Sequence, residues 1–361
     1  MSQAHSIRHG GNIAQEAKRL GIHESELLDA SASIVPLQNS IDIQKFIKTA
    51  IDEITIRCYP DRNYSDLREA IGHWHDVNPS MVLPGNGAAE LITWAARDAA
   101  ICGISTLPSP GFADYKRALK CWNSSYLELP LPLSWDANFP QFFPLQSKSE
   151  AIWITNPHNP TGQLWSRKSL ETLLENYKLV ICDEAFLPLV PNGEKQSLIP
   201  VIKNNNNLIV IRSLTKVFGI AGLRLGYAIS DSKRLSRWQS FRDPWPLNGI
   251  ANSFGSIVMN NHTLIKKHIQ DIESWIQEEG DWLHSNLNML KGIIAHNSAT
   301  NFQLIQSDKS LSTVHQKMAQ KGILLRDCRS FKGLGENWLR ISLQTKHNNQ
   351  RIIKEMKRIL N

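Results

Sequence analysis

The chain has 361 residues, a formal net charge of +7, 42% apolar and 20% charged residues. That is long enough for a large core and a smaller accompanying unit, and no apolar run reaches the ~18 residues that a membrane span needs. The basic residues are dispersed, with no block and no nucleic-acid recognition motif, so the positive excess points to small anionic ligands. Cys58, Cys102, Cys121, Cys182 and Cys328 are scattered and form no C-x-x-C, which fits reduced thiols and argues against a structural metal site. The opening "MSQAHSIRHGGN" has no apolar signal core, so a cytoplasmic location is expected.

Helical and strand patterns alternate between about residues 64 and 230. "YSDLREAIGHWHDV" places Leu67, Ile71 and Trp74 on one helical face, and "AAELITWAARDAA" does the same with Leu91, Ala95 and Ala99. "AIWITN" at 151–156, "KLVICD" at 178–183 and "NLIVIRS" at 207–213 are short continuous apolar runs. Such runs suit strands buried on both faces of a parallel sheet, with "SLETLLENY" as a crossover helix. "PLPLSWDANFPQFFP" and "KNNNN" read as connections. Beyond about residue 250 the texture changes. A long amphipathic helix is expected over Thr263–Lys291, with Ile265, Ile269, Ile272, Ile276, Leu283 and Leu287 on its apolar stripe. Strand-like "NFQLIQS", "ILLRD" and "NWLRISLQ", helix-like "STVHQKMAQKG" and a basic last helix follow. The expected division is an amino-terminal segment 1–40 that contributes to the smaller domain and the active site, a large doubly wound α/β domain 41–248 and a smaller α+β domain 249–361.

Open α/β sheets bind ligands beyond the carboxyl ends of their strands, and the chemistry-bearing residues of this sequence cluster there. "GNGAAE" (85–90) follows the short run "MVLP" and opens a helix. Gly85 and Gly87 allow a tight turn, and the free amides of Ala88 and Ala89 suit an anion. A nicotinamide fingerprint would need a third glycine where Glu90 stands. "NPHNPTG" (156–162) forces a rigid turn from which Asn159 can aim its amide at a ligand oxygen. Asp183 closes an apolar run, where a carboxylate either caps the next helix or pairs with a cation such as a protonated ring nitrogen. In "SLTKVFGIAGLRLGY" (213–227), Lys216 and Arg224 sit among apolar residues. A desolvated lysine has a lowered pKa and captures aldehydes, whereas an arginine fork suits phosphate. Phosphate, phenolic oxygen, basic ring nitrogen and aldehyde together describe pyridoxal 5'-phosphate.

The order "GNGAAE … PSPGFADY … NPHNPTG … DEAF … SLTKVFGIAGLRLGY … LRISLQT" resembles the fold-type I pyridoxal-phosphate enzymes of the aminotransferase class I/II group, over nearly the whole chain. The resemblance implies that Lys216 captures the cofactor aldehyde, that Asp183 pairs with its ring nitrogen and that Asn159 binds the ring hydroxyl. It further implies that Phe112 stacks on the ring and that Gly87, Ala88, Ala89, Ser213 and Arg224 hold the phosphate. Tyr59 would reach the phosphate of a neighbouring subunit in a homodimer, and Arg340 would clamp a substrate carboxylate. Phe186 stands where many relatives have tyrosine, which leaves Asn159 alone on the ring oxygen.

The amino end, "HGGNIAQEAKRLGI … LLDASASIVPL", is similar to the opening of the L-threonine-O-3-phosphate decarboxylase family of cobalamin biosynthesis. Ser33, Val35 and Gln38 depart from the asparagine, asparagine and glycine usual there. This implies decarboxylation of an amino-acid phosphate, L-threonine O-3-phosphate, to (R)-1-aminopropan-2-yl phosphate. The alternative is an aminotransferase of histidinol phosphate, or of another amino acid, using 2-oxoglutarate. A phosphorylated amino acid needs a second anion site beside Arg340, for which His9, Asn12, Arg326 and Arg329 are the candidates, although the two arginines equally fit a solvated face.

Overall fold

The computed structural model describes residues 10–36, 42–53 and 57–361. Its twelve strands are β1 (Leu28–Ala30), β2 (Val82–Asn86), β3 (Ser105–Ser109), β4 (Tyr126–Pro130), β5 (Ala151–Thr155), β6 (Leu179–Asp183), β7 (Leu208–Ser213), β8 (Leu225–Ser230), β9 (Ile294–Ala295), β10 (Phe302–Gln306), β11 (Ile323–Asp327) and β12 (Trp338–Ser342). Seven form a large sheet in the order β2-β8-β7-β6-β5-β3-β4, in which β8 runs antiparallel to both neighbours and the rest are parallel.

The continuous apolar runs β5, β6 and β7 are buried along their whole length; helix Arg167–Asn176 connects the neighbours β5 and β6, whereas helix Ala88–Cys102 carries the chain from β2 at one edge across to β3. Each fully buried branched side chain contributes roughly 1.5–3 kcal/mol. The sequence pattern did not reveal β3, which reads "STLPS" rather than as an apolar run. Its polar groups are buried yet satisfied: Thr106 Oγ1 lies 2.6 and 2.7 Å from the hydroxyls of Ser147 and Ser149, and Ser105 Oγ accepts from Trp153 Nε1 at 3.3 Å. A buried polar strand is tolerated when each group finds a partner.

The second sheet has the order β1-β11-β12-β10-β9. The amino-terminal segment joins it, since Leu28, Asp29 and Ala30 of β1 pair in parallel with Ile323, Leu324 and Leu325 of β11. The long helix runs His262–Asn288, three residues short of its expected end, and Asn261 caps it by accepting from Leu264 N at 3.2 Å. Two polar residues share its buried stripe. His268 bonds the carbonyl of Val217 at 2.9 Å, and Glu279 accepts from Asn349 Nδ2 at 2.8 Å. The helix before it, Gly249–Asn260, packs on the large sheet's side, where a Cβ at Gly255 would come within 2.9 Å of both Leu225 and Leu67. Among the described residues no helix is long and apolar enough to cross a membrane.

Gly226 on β8 is a pinch point of the large sheet. A Cβ there would lie 2.8 Å from both Ala88 N and Arg212 O. Backbone cannot yield as a side-chain tip does, so Gly226→Ala should destabilise the chain by about 1–3 kcal/mol. Urea unfolding, read as a lower midpoint with unchanged slope, checks this.

Candidate active site

The carboxyl ends of β5, β6 and β7 open into a cavity of about 240 Å³ between the two sheets. Around it the structure gathers Ala88, Ala89, Phe112, Asn159, Asp183, Phe186, Ser213, Lys216, Arg224, Arg326 and Arg340, residues from both halves of the chain. Lys216 sits on the short helix Leu214–Phe218 directly after β7. That helix is tied on two sides, by Val35 N donating to Lys216 O at 3.4 Å and by His268 on Val217 O. Nζ of Lys216 lies 5.4 Å from the centre of the Phe186 ring. Burial, reinforced by the positive charges of Arg340 and Arg224, lowers the Lys216 pKa to about 8. Asp183 moves the other way. Burial raises its pKa to about 6, opposed by hydrogen bonds from the Tyr115 hydroxyl at 2.8 Å and Ala185 N at 3.0 Å.

The anion-facing groups come next. Gly87 caps helix Ala88–Cys102 at φ +73°, and a Cβ there would sit 2.6 Å from Arg224 Nη2. Only glycine therefore lets the arginine approach the helix's free amides. Arg224 is itself held in the left-handed region at φ +58°. On the opposite wall, Arg326 of β11 and Arg340 of β12 are direct cross-strand partners. Arg340 donates through Nη1 to Asn159 Oδ1 at 2.5 Å and through Nη2 to Ser31 O at 3.2 Å, which turns the Asn159 amide nitrogen into the free donor of that side chain. Arg326 donates to Ser330 Oγ at 2.7 Å. Burial and the neighbouring Arg326 lower the Arg340 pKa to about 10, and burial lowers that of Arg326.

Like charges placed directly opposite on a sheet destabilise it. Among the described residues, none of Arg224, Arg326 and Arg340 forms an ion pair with a carboxylate. Two buried polar atoms of cavity-lining residues, Thr215 Oγ1 and Arg340 Nε, have no hydrogen-bond partner among the described residues. Unpaired cations and an orphan hydroxyl beside a glycine-capped helix terminus fit a phosphate, while a desolvated lysine and a buried carboxylate fit the aldehyde and ring nitrogen of pyridoxal 5'-phosphate.

The structure corrects two candidates for the second anion site. Asn12 is exposed and spends its side chain capping helix Ile13–Leu20, accepting from Gln15 N at 3.3 Å. Arg329 is solvent-facing, its side chain 52% exposed and locked to Asp327 two residues earlier. His9 lies outside the described residues. Tyr59 does not line its own chain's cavity; it is 77% exposed and stacks on Trp245 at 4.2 Å. Sequence reasoning missed Thr215, two residues from Ser213 and legible as part of the same turn. It also missed Tyr115, which no local signal connects to Asp183; Gly10 and residues 31–33, in the amino-terminal segment expected to contribute to the active site, line the cavity.

Fold and cavity together define a pyridoxal-phosphate enzyme of the two-sheet type, and the comparisons agree. The aminotransferase class I and II family matches residues 26–356, and the chain belongs to that family, whose cofactor is pyridoxal 5'-phosphate. It is 30% identical to the threonine-phosphate decarboxylase of Salmonella typhimurium (strain LT2), across 98% of this chain and 96% of that protein. It is 29% identical to the histidinol-phosphate aminotransferase of Caldanaerobacter subterraneus subsp. tengcongensis, across 91% of this chain and 92% of that protein. The crystal structure of L-threonine-O-3-phosphate decarboxylase from Porphyromonas gingivalis superposes with a TM-score of 0.78 at 24% identity, covering 91% of this chain and 98% of that one.

Adding the cofactor to the apoprotein should produce an absorbance band near ~420 nm that Lys216→Ala abolishes. The neutral amine is the nucleophile. The rate of band formation should therefore climb with pH and level off above about 8, the lowered Lys216 value, rather than continuing toward 10.5. Stopped-flow absorbance across pH 6–10, as an approximate range around that value, reads this directly.

Proposed function

We propose that this chain decarboxylates L-threonine O-3-phosphate to (R)-1-aminopropan-2-yl phosphate for cobalamin biosynthesis, as a cytoplasmic homodimer in which Tyr59 reaches the neighbouring cofactor. The observation that carries the reading is the Arg326–Arg340 cross-strand pair, two buried guanidiniums on one wall without a carboxylate partner among the described residues. A substrate with a carboxylate at one end and a phosphate at the other supplies one anion to each. The amino-terminal segment adds support. Gly10 lines the cavity, and a Cβ there would lie 2.5 Å from Ser31 O, so the "HGGN" glycine is the residue that lets this wall close.

When bound, pyridoxal 5'-phosphate supplies an electron sink for the bond broken at Cα. Asp183, ionised above about pH 6, holds a negative charge where the ring nitrogen would sit. Arg340 binds the substrate carboxylate and Arg326 the substrate phosphate, and the two anchors together fix the torsion about Cα. The carboxylate departs as carbon dioxide, and Lys216 Nζ delivers the replacing proton to Cα. The lowered Lys216 pKa suits that proton transfer near neutral pH. Phe112, Phe186 and Phe331 wall the cavity with apolar surface and exclude water from it.

The similar identity to a histidinol-phosphate aminotransferase favours a second reading, transamination with 2-oxoglutarate. Purified protein loaded with cofactor and given L-threonine O-3-phosphate without any keto acid should release carbon dioxide. Turnover only with histidinol phosphate and 2-oxoglutarate would replace the first reading with the second. Arg326→Gln should raise KM for the phosphorylated substrate by about 10- to 100-fold, the loss expected for a charge-assisted contact. The cofactor band should stay intact, and steady-state kinetics with parallel absorbance spectra separate the two effects.

A further inference from the structure

Among the described residues Asp183 is the sole carboxylate lining the cavity, and what holds it comes from another part of the chain. We propose that Tyr115 is a positioning residue for Asp183, its buried hydroxyl fixing the carboxylate so that the remaining acceptor edge faces the cofactor's ring nitrogen. This rests on the reading that pyridoxal 5'-phosphate occupies the cavity.

Direction follows from proton count. The Tyr115 hydroxyl lies 2.8 Å from Asp183 Oδ2 and 2.8 Å from Thr155 Oγ1. A phenol carries one proton and an ionised carboxylate only accepts. The Tyr115 proton therefore points to Asp183, and Thr155 donates to the Tyr115 oxygen, giving a one-way chain from Thr155 through Tyr115 to Asp183. The other carboxylate oxygen, Oδ1, takes the Ala185 N–H at 3.0 Å. With one protein donor on each oxygen the carboxylate cannot turn about its own axis, and it keeps lone pairs for a ligand.

Tyr115 is placed to do this. It is 2% exposed, its ring lies 5.0 Å from Trp153 and edge-on to Phe112 at 5.5 Å. Burial holds its hydroxyl protonated well above the ordinary phenol range, so the donor is permanent. Tyr115 N also donates to Phe112 O at 3.4 Å, within one turn at the head of helix Asp114–Cys121. One turn thus carries Phe112 on the cavity and Tyr115 on the carboxylate that the cofactor nitrogen would meet. The charged and titratable groups facing Asp183 are Glu184 beside it, Tyr115 from this helix and Lys216 from the helix after β7.

Tyr115→Phe keeps the ring and removes only the donor. Circular dichroism of the apoprotein should match wild type, with a thermal midpoint lowered modestly by the loss of a buried donor. Affinity for pyridoxal 5'-phosphate, titrated by tryptophan fluorescence, should weaken by about tenfold. The acid limb of the binding curve should move to higher pH, because Asp183 loses a bond that favours its anion. Wild type and variant share the titrations of the ligand and of Lys216, so the difference between their curves isolates Asp183. Unchanged affinity with an unchanged limb overturns the proposal. If Tyr115→Phe does not fold, Thr155→Val carries the test: removing the donor to Tyr115 should move the same limb in the same direction by less, and no movement overturns the proposal. Wild-type protein that forms no Lys216-dependent band overturns the cofactor reading and this one with it. A wild-type band beside an unaltered variant overturns the role of Tyr115 alone.

Discussion

Positive charge without a carboxylate to pair it, among the described residues, is the constraint on which this structure turns. Lys216, Arg224, Arg326 and Arg340 line one cavity, and among the described residues the only carboxylate lining it is Asp183. Burial, and after it the neighbouring positive charges, lower the pKa values of both Lys216 and Arg340. A chain selected for stability alone would place apolar residues here. The arrangement is rational only if anions complete it, and the energy left unpaired in the free protein is then recovered as binding energy for ligands that carry the right charges.

The far face of the same strands shows the contrast. Successive strand residues point to opposite faces. At the end of β6, Asp183 faces the cavity and Glu184 faces away; at the end of β7, Ser213 faces the cavity and Arg212 faces away. Behind the site, Arg212 bonds Glu184 at 2.9 Å and Glu194 at 2.7 and 3.0 Å, and Ser197 at 2.9 Å completes its fork. Arg212 and Glu184 are buried, Glu194 reaches solvent, and all three are paired; their attraction raises the Arg212 pKa well above its usual value despite burial. One residue along the chain separates a closed ion network from an open one. The closed network joins the ends of β6 and β7 where Asp183 and Lys216 leave the sheet, so it braces the open one.

What the sequence made legible follows from this geometry. Strands β5, β6 and β7 were readable because burial on both faces makes them continuous apolar runs, and Asp183, Ser213 and Lys216 were readable as polar exceptions at their ends. Strand β3 was hidden because hydroxyl pairs, not apolar side chains, fill its surroundings. Strand β1 was hidden because its partner β11 lies at the far end of the chain. Asn12 and Arg329 misled for a common reason. A polar residue satisfied by its near neighbours looks, in sequence, the same as one waiting for a ligand. Tyr115 shows the converse, since its partners on β5 and β6 are brought to it only by the parallel order of the large sheet.

The two sheets divide the work. The large sheet and its loops supply the groups that fit the cofactor, namely Asp183, Lys216, Ser213 and Arg224. The small sheet supplies Arg326 and Arg340, and β1 leads from it into Ser31, Ala32 and Ser33 on the cavity wall. Chemistry at Cα depends on which bond stands perpendicular to the ring, and that torsion is set by where the substrate's anionic ends are held. Such a division leaves the small sheet and the amino-terminal segment free to differ while the large sheet keeps the groups that fit the cofactor. A family that holds both decarboxylases and aminotransferases at similar identity to this chain is the expected result of that division.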